Sequence, residues 1–201
     1  MLASDEFKIL GSNLFVIPLG LSLAAWMWIG NARRMALSWA ALFTAGLAVV
    51  AASKMAFIGW GFEIDAIDFQ GVSGHAMRAT AVFPVILYLI LYDTRRAVRL
   101  AGIYCGLLFG ALMAVSVSVH DTHSASESIA GFVLGAAVSL GFIRTSARMR
   151  KPVLDGSRIA LISFSSAVLI SGTLNLKTDP TYRWLEDATR YLSGNDKPFS
   201  R

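Results

Sequence analysis

The chain has 201 residues, 55% of them hydrophobic and only 15% charged, with a formal net charge of +5. A soluble domain carries about a quarter charged residues, so the composition, with a mean hydropathy of +0.59, excludes an ordinary soluble enzyme. The positive charge is spread over short loops rather than gathered into a basic stripe, which argues against nucleic acid as a partner.

A bilayer core takes roughly 20 apolar residues per helix. Six runs meet or approach that length, at about 14–30, 36–57, 76–92, 100–119, 128–143 and 159–174. The first lacks the basic leader and small-residue cleavage site of a cleavable signal peptide and reads as a span. Arg33 and Arg34 separate it from the second, which carries Lys54 near its end. Ser73-Gly74-His75 opens the third. Arg95, Arg96 and Arg99 precede the fourth, where Cys105, the single cysteine, is expected to pack and allows no internal disulfide. His120 and His123-Ser124-Ala125-Ser126-Glu127 lie between the fourth run and the short fifth. Arg144, Arg148, Arg150 and Lys151 separate the fifth from the sixth. The polar tail 177–201 holds Asp179-Pro180 followed by Tyr182, Trp184, Leu185, Ala188, Tyr191 and Leu192, the pattern of a short interfacial amphipathic helix.

The expectation is one all-α integral membrane domain over residues 1–201, a polytopic bundle of about six transmembrane helices with no internal repeat. Arginine-rich short loops stay cytoplasmic. The alternate loops hold Glu63, Asp65, Asp68, Asp121 and Glu127. Both histidine motifs and both termini are therefore expected on the outer or periplasmic side of the cell (inner) membrane. The basic loops are topology signals with some anionic-lipid contact.

Ser73-Gly74-His75 reads in two ways. Ser is a good helix N-cap and Gly lets a backbone approach a ligand, so the first-turn amides of the third span can bind phosphate beside a histidine able to protonate a leaving oxygen. The alternative is a plain cap with a histidine at headgroup level. His123 and Glu127 stand one helical turn apart, so the carboxylate can fix the imidazole tautomer and leave the other nitrogen to attack. Ser124-Ala125-Ser126-Glu127 is equally a capping box for the fifth span. Lys54 either snorkels to the interface or offsets phosphate charge. Arg78, three residues after His75 within a span, either snorkels too or serves the site. A zinc site from His120, His123, His75, Asp121 and Glu127 is a further alternative; it leaves Ser73, Gly74 and Lys54 without a role. Gly131-x-x-x-Gly135 is a helix-packing face, within the chain or between chains.

Taken in order, Lys54, Ser73-Gly74-His75 and Ser116 with His123 seven residues on and Glu127 four further resemble the type 2 phosphatidic acid phosphatase superfamily, which includes the vanadium haloperoxidases. Its motifs read K-x6-R-P, P-S-G-H and S-R-x5-H-x3-D. The resemblance covers roughly 50–143, the four central spans. Glu127 stands where the family has Asp. Gly61 and Val117 stand where it has its two arginines, and Phe62 and Val72 replace its prolines. The resemblance implies a metal-independent membrane phosphatase acting on a lipid phosphate and needing no cofactor. In it His123 attacks phosphorus, His75 protonates the leaving group and Glu127 orients His123. Lys54, Ser73 and the Gly74 amide hold the phosphate oxygens, with Arg78 and His120 filling in for the absent arginines. A lipid phosphotransferase, and a non-catalytic lipid-binding relative, are the other readings.

Overall fold

The computed structural model describes residues 13–119, 123–150, 152–153 and 180–194. Six α-helices lie among them: α1 (Asn13–Ile29), α2 (Arg33–Trp60), α3 (Gly74–Ile90), α4 (Arg96–Val119), α5 (Ala125–Ser146) and α6 (Pro180–Ser193). The expected sixth span at 159–174, and His120, fall outside the described residues.

α1 to α5 are the first five apolar runs. α2, α4 and α5 are long and apolar enough to cross a membrane, and α1 and α3 are shorter apolar helices. The architecture is a helical membrane bundle. α5 is not the short span expected from 128–143: it has 22 residues. Its polar ends, Ser126-Glu127 and Arg144-Thr145-Ser146, continue the helix beyond the apolar run.

α3 lies at the centre. It packs most extensively on α4 and α5 and also meets α1 and α2, and twelve of its 17 residues are buried, Arg78 and Thr80 among them. Close approach is set by glycines on the neighbours. A Cβ on Gly106 of α4 would fall 2.5 Å from Pro84 Cα, and one on Gly110 would strike Thr80. A Cβ on Gly131 or Gly135 of α5 would strike the Ser73 or Met77 carbonyl. The Gly131-x-x-x-Gly135 face is thus a contact within the chain, the small-residue packing typical of membrane helices. A second contact layer joins α1, α2 and α5. Trp39 stacks on Phe43 at 5.0 Å and meets Phe142 edge-on at 5.4 Å. Its indole Nε1 donates to the Gly20 carbonyl at 2.8 Å, which satisfies the one polar atom of a fully buried ring.

Helices consecutive in the chain, α1 to α5, alternate in direction, so that α3 and α5 run parallel, and this sorts the charges. Ser38 meets Thr145 and Ser146 donates to Tyr88 at one end. Arg33, Arg34, Arg95, Arg96, Arg99, Arg144 and Arg148 cluster there because α2 and α4 begin, and α3 and α5 finish, at that level. Both histidine motifs are at the opposite end.

The tail helix forms where Asp179-Pro180 announced it. It docks against the last turns of α2, where a Cβ on Gly59 would fall 2.9 Å from Thr189 Cγ2. Leu185 and Thr189 are buried, and Trp184, Tyr191 and Leu192 are exposed. Cys105 is also exposed on α4. The packing role expected for it is corrected: at position 105 the helix turns away from α3.

Candidate active site

The site begins where α2 stops. Gly61 takes the left-handed conformation (φ 66°, ψ 26°) that ends a helix. Its N–H donates to Phe57 O at 2.8 Å, and that of Phe62 to Ala56 O at 3.2 Å. The chain then makes a tight excursion, with Ile64 and Phe69 paired in an antiparallel bridge, and returns along α2. The Val72 amide donates to Ser53 Oγ at 3.0 Å. Gly71 lies against Lys54, whose N and Cγ are each 3.4 Å from where a Gly71 Cβ would stand. Lys54 is half-buried and borders the strand of chain that delivers Ser73.

Ser73 occupies the N-cap position of α3, but its side chain makes no capping bond. It is fully buried, and its Oγ has no hydrogen-bond partner. A buried hydroxyl left unsatisfied costs about 1–3 kcal/mol. Ser73 N donates to the Glu127 carbonyl at 3.1 Å, tying the start of α3 to the start of α5. The first-turn amides of α3 have no acceptor within their own helix.

Arg78 follows one turn into α3 and is only 5% exposed. Its guanidinium folds back over Gly74: Nη1 and Cζ stand 2.6 and 3.4 Å from the Cβ that Gly74 lacks, and Val50 Cγ1 is 3.4 Å from the same point. Arg78 does not snorkel outward to solvent. Its charge is held at the amide turn of Ser73-Gly74-His75.

On the facing element, His123 Nδ1 lies 2.7 Å from Glu127 Oε2. Glu127 is 4% exposed, and its Oε1 accepts from the Gln70 amide at 3.0 Å. Of the capping box only the serine half forms. Ser124 Oγ caps α5 by accepting from Glu127 N at 3.3 Å, while the Glu127 carboxylate goes to His123 and Gln70. With a carboxylate on Nδ1, the imidazole carries its proton there and presents Nε2 as a lone pair. The His75 ring stands across from His123, centroids 6.3 Å apart and planes tilted by 54°. An open cleft of about 550 Å³ adjoins His123, lined by Ile67, Asp68, Ser118, Ser124 and Ser126.

The structure thus gathers Ser73, Gly74, His75, Arg78, His123 and Glu127, with Lys54 along the approach. Three contributors gave no sequence signal. Gln70 acts through its backbone amide, which any residue type would supply, and Asp68 and Ser118 reach the cleft only through the fold. Of the zinc alternative's ligands, His120 and Asp121 lie outside the described residues. Among the described residues no three His, Cys, Asp or Glu side chains are arranged to hold a metal. The two positions at which the resembled superfamily carries arginines have structural duties here. Gly61 is the left-handed cap of α2, and Val117 is 2% exposed in the α4 packing face.

Fold and site together define a helical membrane protein with a histidine–carboxylate pair facing a second histidine and a buried arginine. No family model matches the chain, and no solved structure matches it. It is 34% identical over 175 residues to an "uncharacterized 22.5 kDa protein in cps region" of Klebsiella pneumoniae, the match covering 85% of this chain and 82% of that protein. The chain belongs to the family of that protein.

Proposed function

We propose that this protein is an integral membrane lipid-phosphate phosphatase of the cell membrane, with about six spans and its site facing the outside or periplasm, which works without a metal through a phosphohistidine. The observation that carries this reading is the His123–Glu127 pair at 2.7 Å with the His75 ring 6.3 Å across from His123. That separation suits one phosphoryl group between a nucleophile and a proton donor.

In the first step His123 Nε2 forms a bond to phosphorus as the bond to the leaving oxygen breaks, and protonated His75 gives its proton to that oxygen. Glu127 stabilises the positive imidazole that results. In the second step neutral His75 takes a proton from water, the water oxygen attacks phosphorus, and the P–N bond breaks to release inorganic phosphate and restore both histidines. The transferring group carries negative charge on three equatorial oxygens. Arg78, the Ser73 hydroxyl, the Gly74 amide and Lys54 meet that charge. The unsatisfied Ser73 Oγ supports the same reading, because a phosphate oxygen is the acceptor it would take. The substrate class is a polyprenyl, glycerolipid or lipid A phosphate.

The occupation of both family arginine positions by Gly61 and Val117 favours a second reading, transfer of a phosphoryl or headgroup to an acceptor lipid. One experiment separates the two. Purified protein is given a panel of phosphorus-labelled lipid phosphates with and without acceptor lipids. Hydrolysis predicts free phosphate, lost in His123→Ala and His75→Ala; transfer predicts label in the acceptor. Folded protein that yields neither from any lipid would sink both and leave a lipid-binding relative.

A further inference from the structure

We propose that the arginine-rich end of the bundle, opposite the histidines, holds a second lipid site: a pocket between α3, α4 and α5 that takes the phosphate of an anionic phospholipid, with an acyl chain lying along α4. This inference is independent of the phosphatase reading.

A cavity of about 200 Å³ opens there, lined by Tyr88, Tyr92, Arg96, Arg99, Leu100 and Ile103, with α5 closing the far side. Its polar part is organised. Arg99 Nη1 donates to the Tyr92 carbonyl at 3.1 Å, and its Cζ lies 5.8 Å from the Tyr92 ring centroid. Tyr92 in turn meets Tyr88 edge-on at 5.1 Å, and Tyr88 OH accepts from Ser146 Oγ at 3.3 Å. A guanidinium fixed through one N–H still presents a planar fork of donors, the geometry that pairs with phosphate oxygens. Arg96 stands exposed one turn before it at the rim. In the stretch 91–99, Asp93 is the one acid against Arg95, Arg96 and Arg99. Beyond the cavity, a hollow of about 440 Å³ is lined by Arg144, Thr145 and Arg148. The charge is therefore complementary to an anion.

Charge alone would suit free phosphate equally; the apolar side selects a lipid. Leu100 and Ile103 form one wall, and Leu100 begins an exposed stripe that continues through Tyr104, Leu108, Leu112 and Val115 along α4. An acyl chain leaving the pocket has a continuous apolar track at the i, i+4 spacing of one helix face. Basic pockets between membrane helices are a recurrent way of holding anionic headgroups.

The test uses the full chain in neutral detergent. Its thermal midpoint is followed against short-chain phosphatidylglycerol, the matching phosphatidylcholine and inorganic phosphate. Saturating phosphatidylglycerol should raise the midpoint by about 5 °C or more, phosphatidylcholine by far less, and inorganic phosphate not at all. Arg96→Gln should weaken the phosphatidylglycerol effect. Leu100→Trp, which plugs the mouth while keeping every arginine, should abolish it without lowering the lipid-free midpoint. Arg33→Gln with Arg34→Gln, at the same end but outside the pocket, should keep it. A rise with inorganic phosphate equal to that with phosphatidylglycerol would overturn the lipid assignment. So would a phosphatidylglycerol effect that survives both Arg96→Gln and Leu100→Trp, or its absence in the unmodified protein.

Discussion

Gly74 decides where the principal cation of the site stands. A side chain at 74 would collide with Arg78 Nη1, the mobile tip of a flexible residue, not with backbone. Gly74→Ala should therefore displace the guanidinium and leave the fold intact. Turnover should drop by roughly 10²–10³, the usual cost of one transition-state charge contact, with an unchanged thermal midpoint. Arg78→Ala should match it, and Arg78→Lys should not rescue, since an ammonium lacks the fork. Wild-type turnover in Arg78→Ala would remove this residue from the mechanism. The two partners at the head of α5 should separate likewise. Ser124→Ala removes a cap and should cost about 1 kcal/mol of stability with chemistry retained. Glu127→Gln should cost turnover out of proportion to stability, because the His123 tautomer is no longer fixed. Phosphate release should persist in chelator and be inhibited by vanadate; loss in chelator with recovery on one added metal would favour the zinc alternative. At this scale the gathering of His75, His123, Glu127 and Ser73 is legible in the sequence, because residue type and spacing mark them. Gln70 is not, because a main-chain amide leaves no mark in a sequence.

The elements show what hydropathy reads and what it passes over. The apolar middles of α1 to α5 were all visible, but α5 runs from Ala125 to Ser146, beyond its apolar run at both ends. Polar residues at helix ends are compatible with helix and invisible to a search for lipid-soluble sequence. Glu127, the carboxylate paired with His123, lies in one of those polar turns. In α6 the residue against Gly59 is Thr189, a polar side chain that an apolar pattern passes over. Glycine contacts between α3 and α5 set the distance between the two halves of the site, since Gly131 admits the Ser73 carbonyl. Gly131→Leu should overpack this seam, costing about 1–3 kcal/mol and separating Ser73 from Glu127, so that activity and stability fall together. Gly141→Leu, where no atom lies within 4 Å of the added Cβ, is the matched control and should change neither. Equal behaviour of the two variants would disprove the role given to the seam.

Across the whole molecule, the separation of the arginines between the helices from the histidines makes orientation testable. In a Cys105→Ala background, a cysteine at Arg148 should resist an impermeant thiol reagent in intact cells, and one at Ser193 should react. The reverse pattern would turn the molecule over and put the histidines on the cytoplasmic side. α3 has 17 residues and α2 has 28, and α3 begins level with Val50, ten residues before α2 ends. At 1.5 Å per residue the start of α3 lies about 15 Å short of the α2 terminus and about 25 Å from the arginine end. A hydrocarbon core is about 30 Å thick. In the proposed orientation, with the arginine end at the inner headgroups, the Ser73–His75 turn would lie below the plane where the phosphates of the other leaflet rest, enclosed by the helices around α3. A phosphate must sink to meet it, or the leaflet must thin locally, and mismatch of this kind costs fractions of a kcal/mol per Å. Turnover in vesicles should rise as acyl chains are shortened and fall as they are lengthened, with bilayer thickness acting on the protein as an effector. A rate indifferent to chain length would mean that the leaflet already dips at this protein.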